Sequence, residues 1–350
     1  MVNDTIEPRP GEELPRDRVE AYTRAHLPEL PSGPLHIRQF PSGASNLTYL
    51  LQIDCWEAVL RRPPLGPLPP RAHDMPREAR LLERLSPVFP PAPRPYLICE
   101  DIDILGVPFY VMERKHGVVL DRSFPQGTDP DGALCRRLSI NTIDTLARIH
   151  AVDWQAAGLD GLGHPDGFLT RQVHGWIERY DRARTDDVPG AEPLTAWLAA
   201  HIPTSPPPTL IHNDFKLNNM VLRADDLAQP AGVLDWEMAT AGDPLLDLAI
   251  FLGYWVQSDD PAAMRTLLPT VTAHPGFLTR EALMQRYAEV TGRDLSAMPF
   301  YLTFAYFKLA GILQQIYVRW KSGQTHDERF AGFGERVRFL IEHAESTQGL

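Results

Sequence analysis

Short apolar runs in the first 114 residues are typical of a small β-sheet. Thr48–Ile53 and Trp56–Leu60 are separated by a short polar break, which predicts a β-hairpin. Two further runs, in PYLICED and VPFYVMER, predict two more strands. The Pro-rich stretch RRPPLGPLPPRAHDMP lies between the hairpin and these runs and predicts a loop.

Helical periodicity occurs twice in this part and dominates the rest of the chain. Arg16–His26 is predicted as a helix, and the apolar residues of REARLLERLSPVF recur at helical spacing. Later helices are predicted over Leu134–His150, Gly175–Ala183 and Phe330–Glu345, and most of the sequence from Pro244 onward is helical in pattern. We therefore predict an α+β protein with an N-terminal, sheet-containing domain over residues 1–114 and a mainly helical domain over residues 115–350.

Composition narrows the class of protein. Of 350 residues, 43% are hydrophobic and 23% are charged, which is typical of a globular chain. The net charge of −11 argues against nucleic acid as the main partner. Three scattered cysteines, a polar N-terminus without an apolar core, and the lack of an 18-residue apolar run predict a cytoplasmic protein with no membrane partner. The oligomeric state stays open.

The segment LIHNDFKLNNMVL carries the strongest chemical signal. An apolar strand end is followed by His212 and Asp214, and Asn219 stands five residues beyond Asp214. A second segment, GVLDWEMATAGDPLLDLA, has an apolar run that ends on Asp235. We expect these strand ends to be neighbours, and carboxylate and amide oxygens suit Mg²⁺ that also binds substrate phosphates.

This spacing has the form of a phosphoryl-transfer site. An isolated H-x-D is common by chance, but here it is combined with Asn219 and Asp235, as in kinases. Asp243 and Pro244 predict a capped helix start, and Asp247 one turn later is expected to support the catalytic loop through backbone amides. We interpret Asp243 and Asp247 as structural residues.

Together these segments resemble the aminoglycoside-phosphotransferase and choline-kinase-like family of small-molecule kinases, in particular the branch associated with acyl-CoA dehydrogenases. HNDFKLNN, LDWEMATAGDPLLDLA and FAYFKLAGILQQIYVRWKSGQTHDERF carry the resemblance. It covers about residues 40–345. It implies a bilobal protein-kinase-like fold that binds ATP and Mg²⁺ in a cleft.

The resemblance also implies roles for single residues. Asp214 would be the catalytic base, His212 would support its loop, and Asn219 and Asp235 would bind Mg²⁺. The nucleotide-binding residues implied are Ser42, Gly43, Ser45, Asn46, Arg61, Glu78, Met112 and Glu113. Within this set, Arg61 takes the place of the family's phosphate-pairing lysine, and the phosphate loop holds one glycine where two are more typical.

The function implied is transfer of the γ-phosphoryl group of ATP to a hydroxyl group of a small molecule. Lys308, Ile312, Gln315 and Arg319 share one helical face without a nearby acidic residue, which favours an acyl or anionic acceptor such as a hydroxyacyl-CoA. Two alternatives stay open: an antibiotic kinase, and a nucleotide-binding module with little turnover.

Overall fold

The computed structural model describes residues 4–41, 46–66, 73–185 and 188–348. These residues pack into two units. The first unit is Met1–Gly117 with the segments Ala157–Leu159 and Ala231–Glu237, and the second is Val118–Ala156, Asp160–Pro230 and Met238–Leu350. The domain boundary predicted after residue 114 stays a prediction, because these units are defined by packing alone.

The first unit is built on a five-stranded antiparallel sheet of order β1-β2-β3-β5-β4. Its elements are α1 Arg16–His26, β1 His36–Gln39, β2 Leu47–Ile53, β3 Trp56–Arg62, α2 Met75–Leu85, β4 Pro95–Cys99, α3 Ile102–Leu105 and β5 Phe109–Met112. The predicted hairpin is confirmed: β2 and β3 pair from Leu47 opposite Arg62 to Ile53 opposite Trp56.

Strand alternation decides which face of this sheet each side chain reaches. Tyr49, Leu51, Ala58 and Leu60 are buried in one apolar cluster, which also contains Val19 of α1. Arg61 follows Leu60 directly and therefore points to the opposite face. Helix α2 packs against β4 and β5.

Helix α2 is fixed at its start and buried along one side. The Asp74 carboxylate accepts a hydrogen bond from the backbone N–H of Arg77 at 3.0 Å, which caps the helix. Its buried positions recur at helical spacing and include one acidic residue: Met75, Glu78, Ala79, Leu81, Leu82 and Leu85. Glu78 is only 1% exposed, so its carboxylate needs a partner.

The second unit is mainly helical. Its helices are α4 Gly132–His150, α5 Phe168–Ala183, α6 Ala191–Ala200, α7 Pro244–Tyr254, α8 Ala262–Leu267, α9 Arg280–Thr291, α10 Met298–Lys321 and α11 Phe333–Ser346. Its short strands are β6 Thr209–Ile211, β7 Met220–Leu222 and β9 Thr240–Gly242, whereas β8 Pro230–Val233 belongs mostly to the first unit. Helix α10 packs on α5, α7 and α11. Strand β6 pairs with β9, which holds the chain just before the motif at His212.

Helix α7 begins where the sequence predicts it. Asp243 caps it by accepting the backbone N–H of Leu245 at 2.9 Å, and Pro244 is its first residue. The other Asp243 oxygen accepts a hydrogen bond from the Tyr301 hydroxyl at 2.7 Å. In the described ranges, no helix is long and apolar enough to cross a membrane.

Candidate active site

Asp214 lies in a short loop after β6 and is held by two neighbours from the same loop. Lys216 Nζ lies 2.9 Å from Asp214 Oδ2 and 3.1 Å from Oδ1. Asn219 Nδ2 donates to the Asp214 backbone oxygen at 2.9 Å and to Oδ2 at 3.2 Å. The three residues of the predicted motif region therefore form one hydrogen-bonded group around the carboxylate.

Asp247 holds the backbone of this loop from the side of α7. Its carboxylate accepts the backbone N–H of His212 at 2.8 Å and of Asn213 at 2.7 Å. Burial alone would raise the pKa of Asp247, but the hydrogen bond and charge of His150 and the charge of His212 outweigh it and hold the pKa below its ordinary value. The predicted support of the loop by Asp247 is confirmed.

His150 completes this buried network. Its Nε2 lies 3.0 Å from Asp247 Oδ2, and its Nδ1 lies 2.6 Å from the Tyr287 hydroxyl. His150 does end α4, as its sequence position indicates. Its side chain, however, pairs with Asp247 rather than merely complementing the helix dipole, and its two hydrogen bonds join α4, α7 and α9.

The residue before Asp214 has an unusual backbone. Asn213 has φ of 66°, in the left-handed region. Its Nδ2 reaches the Met238 backbone oxygen only at 3.5 Å, and its buried Oδ1 has no hydrogen-bond partner among the described residues. The left-handed backbone, rather than side-chain contacts, is therefore the main structural constraint on the residue at position 213.

Two lysines of the second unit, Lys216 and Lys308, interact electrostatically with Asp214. Lys216 Nζ lies 5.1 Å from the centre of the Tyr254 ring. Burial raises the pKa of Tyr254, and the charge of Asp214 adds to that shift. Burial lowers the pKa of Lys308 to about 8, although the charges of Asp214 and Asp247 oppose it. Lys308 of α10 therefore lies within electrostatic reach of the loop.

A pocket opens beside Lys216. Its volume is about 250 Å³. Its walls are apolar and aromatic on one part, with Phe251, Tyr254, Trp255 and Leu267, and polar on another, with Asp121, Arg122, Lys216 and Asn218. A pocket of this mixed composition can take a small molecule that has both apolar and polar groups.

In the first unit, Arg61 is the centre of a second charged group. Its Nη1 lies 2.9 Å from Glu78 Oε1, and its Nη2 is hydrogen-bonded to Asp235 Oδ1. Glu237 Oε2 lies 3.8 Å from the same Nη2. Burial raises the pKa of Glu78 to about 7, and the Arg61 guanidinium opposes that shift. The structure thus brings together Arg61, Glu78 and Asp235, which the sequence analysis placed near the nucleotide.

Asn46 belongs to the same unit and is held by residues that the sequence analysis did not single out. Asn46 Nδ2 donates to Glu237 Oε2 at 2.7 Å, and His73 Nδ1 lies 2.8 Å from Asn46 Oδ1. The signal for Glu237 was its position two residues after Asp235. Ser42, Gly43 and Ser45, predicted to cover the nucleotide phosphates, lie outside the described residues.

Met112 and Glu113 mark the end of the sheet. Met112 is buried at the end of β5, opposite Val59 of β3. The backbone N–H of Glu113 donates to Arg94 O at 2.8 Å, and Glu113 Oε2 accepts the Arg94 N–H at 3.1 Å and lies 2.9 Å from Lys115 Nζ. An adenine at this position would therefore have to use groups other than the Glu113 N–H.

The two residues predicted to bind Mg²⁺, Asn219 and Asp235, belong to different units, and the side chain of each has the oxygen chemistry of a magnesium ligand. Within the described ranges, both Asn219 side-chain hydrogen bonds use Nδ2 and none uses Oδ1. The Asp235 side chain is 28% exposed, so one face of its carboxylate reaches solvent. Among the residues described, no group of three His, Cys, Asp or Glu side chains could hold a metal ion alone. Mg²⁺ does not need such a cage, because it keeps waters and binds substrate phosphates.

The family follows from this geometry and from comparison with known proteins. The model of the phosphotransferase enzyme family matches residues 36–271, a range that contains β1, the Arg61–Glu78 pair and the Asp214 loop. The chain belongs to this family. It is a small-molecule phosphotransferase, as the sequence resemblance predicted.

Solved structures of the family confirm the predicted α+β fold of the protein-kinase-like type. A Ralstonia eutropha protein whose name places it among the aminoglycoside phosphotransferases is 30% identical, with a TM-score of 0.81, and the match covers 96% of this chain and 99% of that chain. Choline kinase of Cryptosporidium parvum is 12% identical, with a TM-score of 0.59 and coverage of 95% of both chains. At that identity the second likeness concerns the fold alone.

Curated relatives are longer than this chain. Acyl-CoA dehydrogenase family member 10 of Mus musculus is 36% identical over 336 residues, which is 95% of this chain and 31% of that protein. Human acyl-CoA dehydrogenase family member 11 is 34% identical over 349 residues, 97% of this chain and 44% of that protein. The chain thus spans less than half the length of either relative.

Proposed function

We propose that this phosphotransferase moves the γ-phosphoryl group of ATP, with Mg²⁺, to the hydroxyl of a hydroxyacyl-CoA. The observation that carries the proposal is the Asp214 carboxylate, held by Lys216 and Asn219 in a loop whose backbone is fixed by Asp247. A carboxylate held in this way accepts a proton from a hydroxyl without first having to be oriented.

The reaction balances with the residues in these roles. The acceptor oxygen bonds to the γ-phosphorus while the bond from that phosphorus to the β,γ-bridging oxygen breaks, and ADP leaves. The hydroxyl proton goes to Asp214. Lys216 is assigned to offset negative charge beside the acceptor oxygen, because its ammonium lies next to the Asp214 carboxylate.

Nucleotide binding is assigned to the first unit and to Asn219. Asp235 and Asn219 would bind the magnesium ion, which neutralises phosphate charge when bound. Arg61 holds Asp235 in place and supplies permanent positive charge. APH(4)-Ia, a structural neighbour at 16% identity and a TM-score of 0.59, has been solved with AMP-PNP and hygromycin B, which supports a nucleoside triphosphate as donor.

The acceptor class is argued from the charges and the pocket beside Asp214. Lys216 and Lys308 lie near the carboxylate, and an incoming polycation would meet their repulsion. The apolar part of the pocket beside Lys216, at Tyr254 and Trp255, suits an alkyl chain. The names of the curated relatives also point to acyl-CoA chemistry.

One observation favours an antibiotic acceptor instead. The net charge of −11 attracts polycations, and structural neighbours include a spectinomycin phosphotransferase, APH(9)-Ia, at 13% identity. Net charge averages over the whole surface, however, whereas the acceptor meets the local charges at Asp214. We therefore keep the antibiotic kinase as the second candidate.

Steady-state kinetics with Mg-ATP distinguish the two acceptors. We expect 4-hydroxypentanoyl-CoA to be phosphorylated with a kcat/KM at least 100-fold (on the order of 10²) above that of kanamycin, because cations near Asp214 disfavour a polycation. Product mass is measured rather than ATP loss. Efficient kanamycin phosphorylation without turnover of the thioester would contradict the proposal.

Replacing Asp235 tests the nucleotide half. We expect Asp235→Ala to lose most of the thermal stabilisation that Mg-ATP gives the wild type, which is about 2.7 kcal/mol at a ligand concentration of 100 Kd. Asp226→Ala, a matched change at a carboxylate of the second unit, should keep that stabilisation. Equal stabilisation of Asp235→Ala and wild type would place the metal elsewhere.

A further inference from the structure

The pocket beside Lys216 is built by separate segments of the second unit that hydrogen bonds hold together. The backbone N–H of Val271 donates to the Asp121 backbone oxygen at 3.0 Å. Asn218 Nδ2 donates to Asp121 Oδ1 at 3.2 Å. These two contacts fix three stretches of the wall before any ligand enters, so the pocket is preorganised and its shape can discriminate between ligands.

The same pocket reaches the catalytic loop through Lys216. This lysine lines the pocket, and its Nζ lies 2.9 Å from Asp214 Oδ2 and 5.1 Å from the centre of the ring of Tyr254, a second lining residue. A molecule whose hydroxyl is at Asp214 can therefore extend into the pocket. The volume of about 250 Å³ is below the range of about 300–1,000 Å³ that holds a whole drug-sized ligand, so the pocket takes one arm of an acceptor.

Solvent exposure divides this pocket into two parts. The side chains of Asp121 and Arg122 are 59% and 74% exposed, so this part of the wall is in contact with water. Phe251 and Trp255 are buried and apolar. An arm that fills the pocket is therefore solvated on one side and loses its water on the other, where any polar group that it carries needs a partner from the protein.

Thr272 lines the pocket and carries a hydroxyl that no described residue hydrogen-bonds. The residue is 2% exposed, and its Oγ1 has no partner in the described ranges. A buried hydroxyl without a partner is costly, and valine would fill nearly the same space without that cost. Packing therefore does not explain a threonine at this position, whereas an oxygen on a ligand in the pocket would supply the missing partner.

We propose that the pocket beside Lys216 binds the alkyl arm of the acceptor and that Thr272 hydrogen-bonds a second, uncharged oxygen on that arm. This inference rests on the proposed function and narrows its substrate class to hydroxyacyl compounds with a further hydroxyl or carbonyl group beyond the phosphorylated hydroxyl. The oxygen is uncharged because the Thr272 hydroxyl is neutral and Lys216 is already paired with Asp214, so a carboxylate would be buried there without a compensating charge.

Calorimetric titration with acceptor compounds tests the Thr272 site, in the presence of Mg²⁺ and a non-hydrolysable ATP analogue. The compounds are 4-hydroxyoctanoyl-CoA, the 4,6-, 4,7- and 4,8-dihydroxyoctanoyl-CoA thioesters, and the mono-CoA thioester of 4-hydroxyoctanedioic acid. For wild type, one of the dihydroxy compounds should bind about fivefold to tenfold more tightly than 4-hydroxyoctanoyl-CoA, the gain expected from one neutral hydrogen bond. The octanedioic compound should not show this gain, because its carboxylate is charged.

Two substitutions assign the preference to Thr272. Thr272→Val should abolish it, because the second hydroxyl of the ligand then lies unpaired, while 4-hydroxyoctanoyl-CoA should bind as tightly as to wild type. Thr23→Val is the matched control and should keep the preference. Thr23 is also buried, with a hydroxyl that lacks a partner among the described residues, but it lies in α1 and does not line this pocket.

The outcomes separate this inference from the proposed function. A Thr272-dependent preference without phosphoryl transfer by the wild type supports the Thr272 site and rejects the proposed function. Transfer to 4-hydroxyoctanoyl-CoA without a preference for any dihydroxy compound overturns the Thr272 site alone, as does a preference that persists in Thr272→Val. Tightest binding of the octanedioic compound overturns the assignment of an uncharged oxygen.

Thermal unfolding of the free protein provides an independent readout. If the Thr272 hydroxyl has no partner until a ligand binds, Thr272→Val should unfold at a temperature no lower than that of the wild type. A lower unfolding temperature would mean that an ordered water or another group already satisfies the hydroxyl in the fold, and it would overturn the inference.

Discussion

Asp214→Asn should lower kcat for phosphoryl transfer by about 10²–10⁴-fold, the range for loss of a general base. Asparagine keeps the shape of the side chain and can still contact Asn219, but it cannot accept the hydroxyl proton. The Lys216 ammonium also loses its charged partner at 2.9 Å. The measurement is kcat at saturating acceptor and Mg-ATP, with product identified by mass.

Two controls make this result specific to Asp214. Asp225→Asn changes an exposed carboxylate paired with Arg223 and should leave kcat unchanged. Nucleotide affinity of Asp214→Asn should stay within about twofold of wild type, since the proposed metal ligands are intact. Wild-type kcat in Asp214→Asn would reject Asp214 as the base.

Asp247→Ala should lower the free energy of unfolding by about 3–5 kcal/mol, the cost of removing one partner of a buried charged network. The substitution leaves the backbone N–H groups of His212 and Asn213 and the His150 ring without their acceptor. Asp247 has no exposed surface, so water cannot replace it. Urea denaturation measures the loss.

The pH dependence of that loss follows from the pKa of Asp247, which the folded protein holds below its ordinary value. A lowered carboxyl pKa adds stability above the unfolded value of about 3.8 to 3.9, and that stability is lost as the pH falls through the folded value. The difference in the free energy of unfolding between wild type and Asp247→Ala should therefore have its full value at pH 6–7 and decrease in acid. The change involves about one carboxyl proton. Asp160→Ala, at an exposed position, should show neither effect. A small, pH-independent loss of stability in Asp247→Ala would contradict the role of Asp247 in fixing the loop backbone.

Local pattern was sufficient for the elements with strong periodicity. Helix α1 has the bounds Arg16–His26 that the sequence predicts, and the start of α7 follows from Asp243 and Pro244. The sequence pattern does not predict strand β1, because its segment HIRQ contains a single apolar residue. This strand is ordered by its pairing with β2. Strand β9 is three residues long and is ordered by its pairing with β6. Its Thr240 lies opposite Ile211, which is 29 residues earlier in the chain, so local pattern does not predict it.

Only those contacts of the candidate site that join residues close in sequence could be predicted. Asp214 and Asn219 are five residues apart, so the spacing itself shows them together. His150 and Asp247 are 97 residues apart, and no pattern in the sequence joins them. Lys216 lay inside the motif but was overlooked because lysine on a polar loop is usually exposed.

The left-handed backbone at Asn213 restricts the residue types that this position can hold. A φ of 66° costs about 1–2 kcal/mol for a residue with an ordinary Cβ, and little for glycine. The buried Oδ1 of Asn213 has no partner in the described structure, so glycine would remove an unpaired polar atom and lose only the long 3.5 Å hydrogen bond from Nδ2 to the Met238 backbone oxygen. Laboratory evolution of this loop should consequently admit glycine and aspartate at position 213 and purge alanine and β-branched residues, however the acceptor changes. The position next to Asp214 is therefore restricted to few residue types, whatever the acceptor of the proposed reaction is.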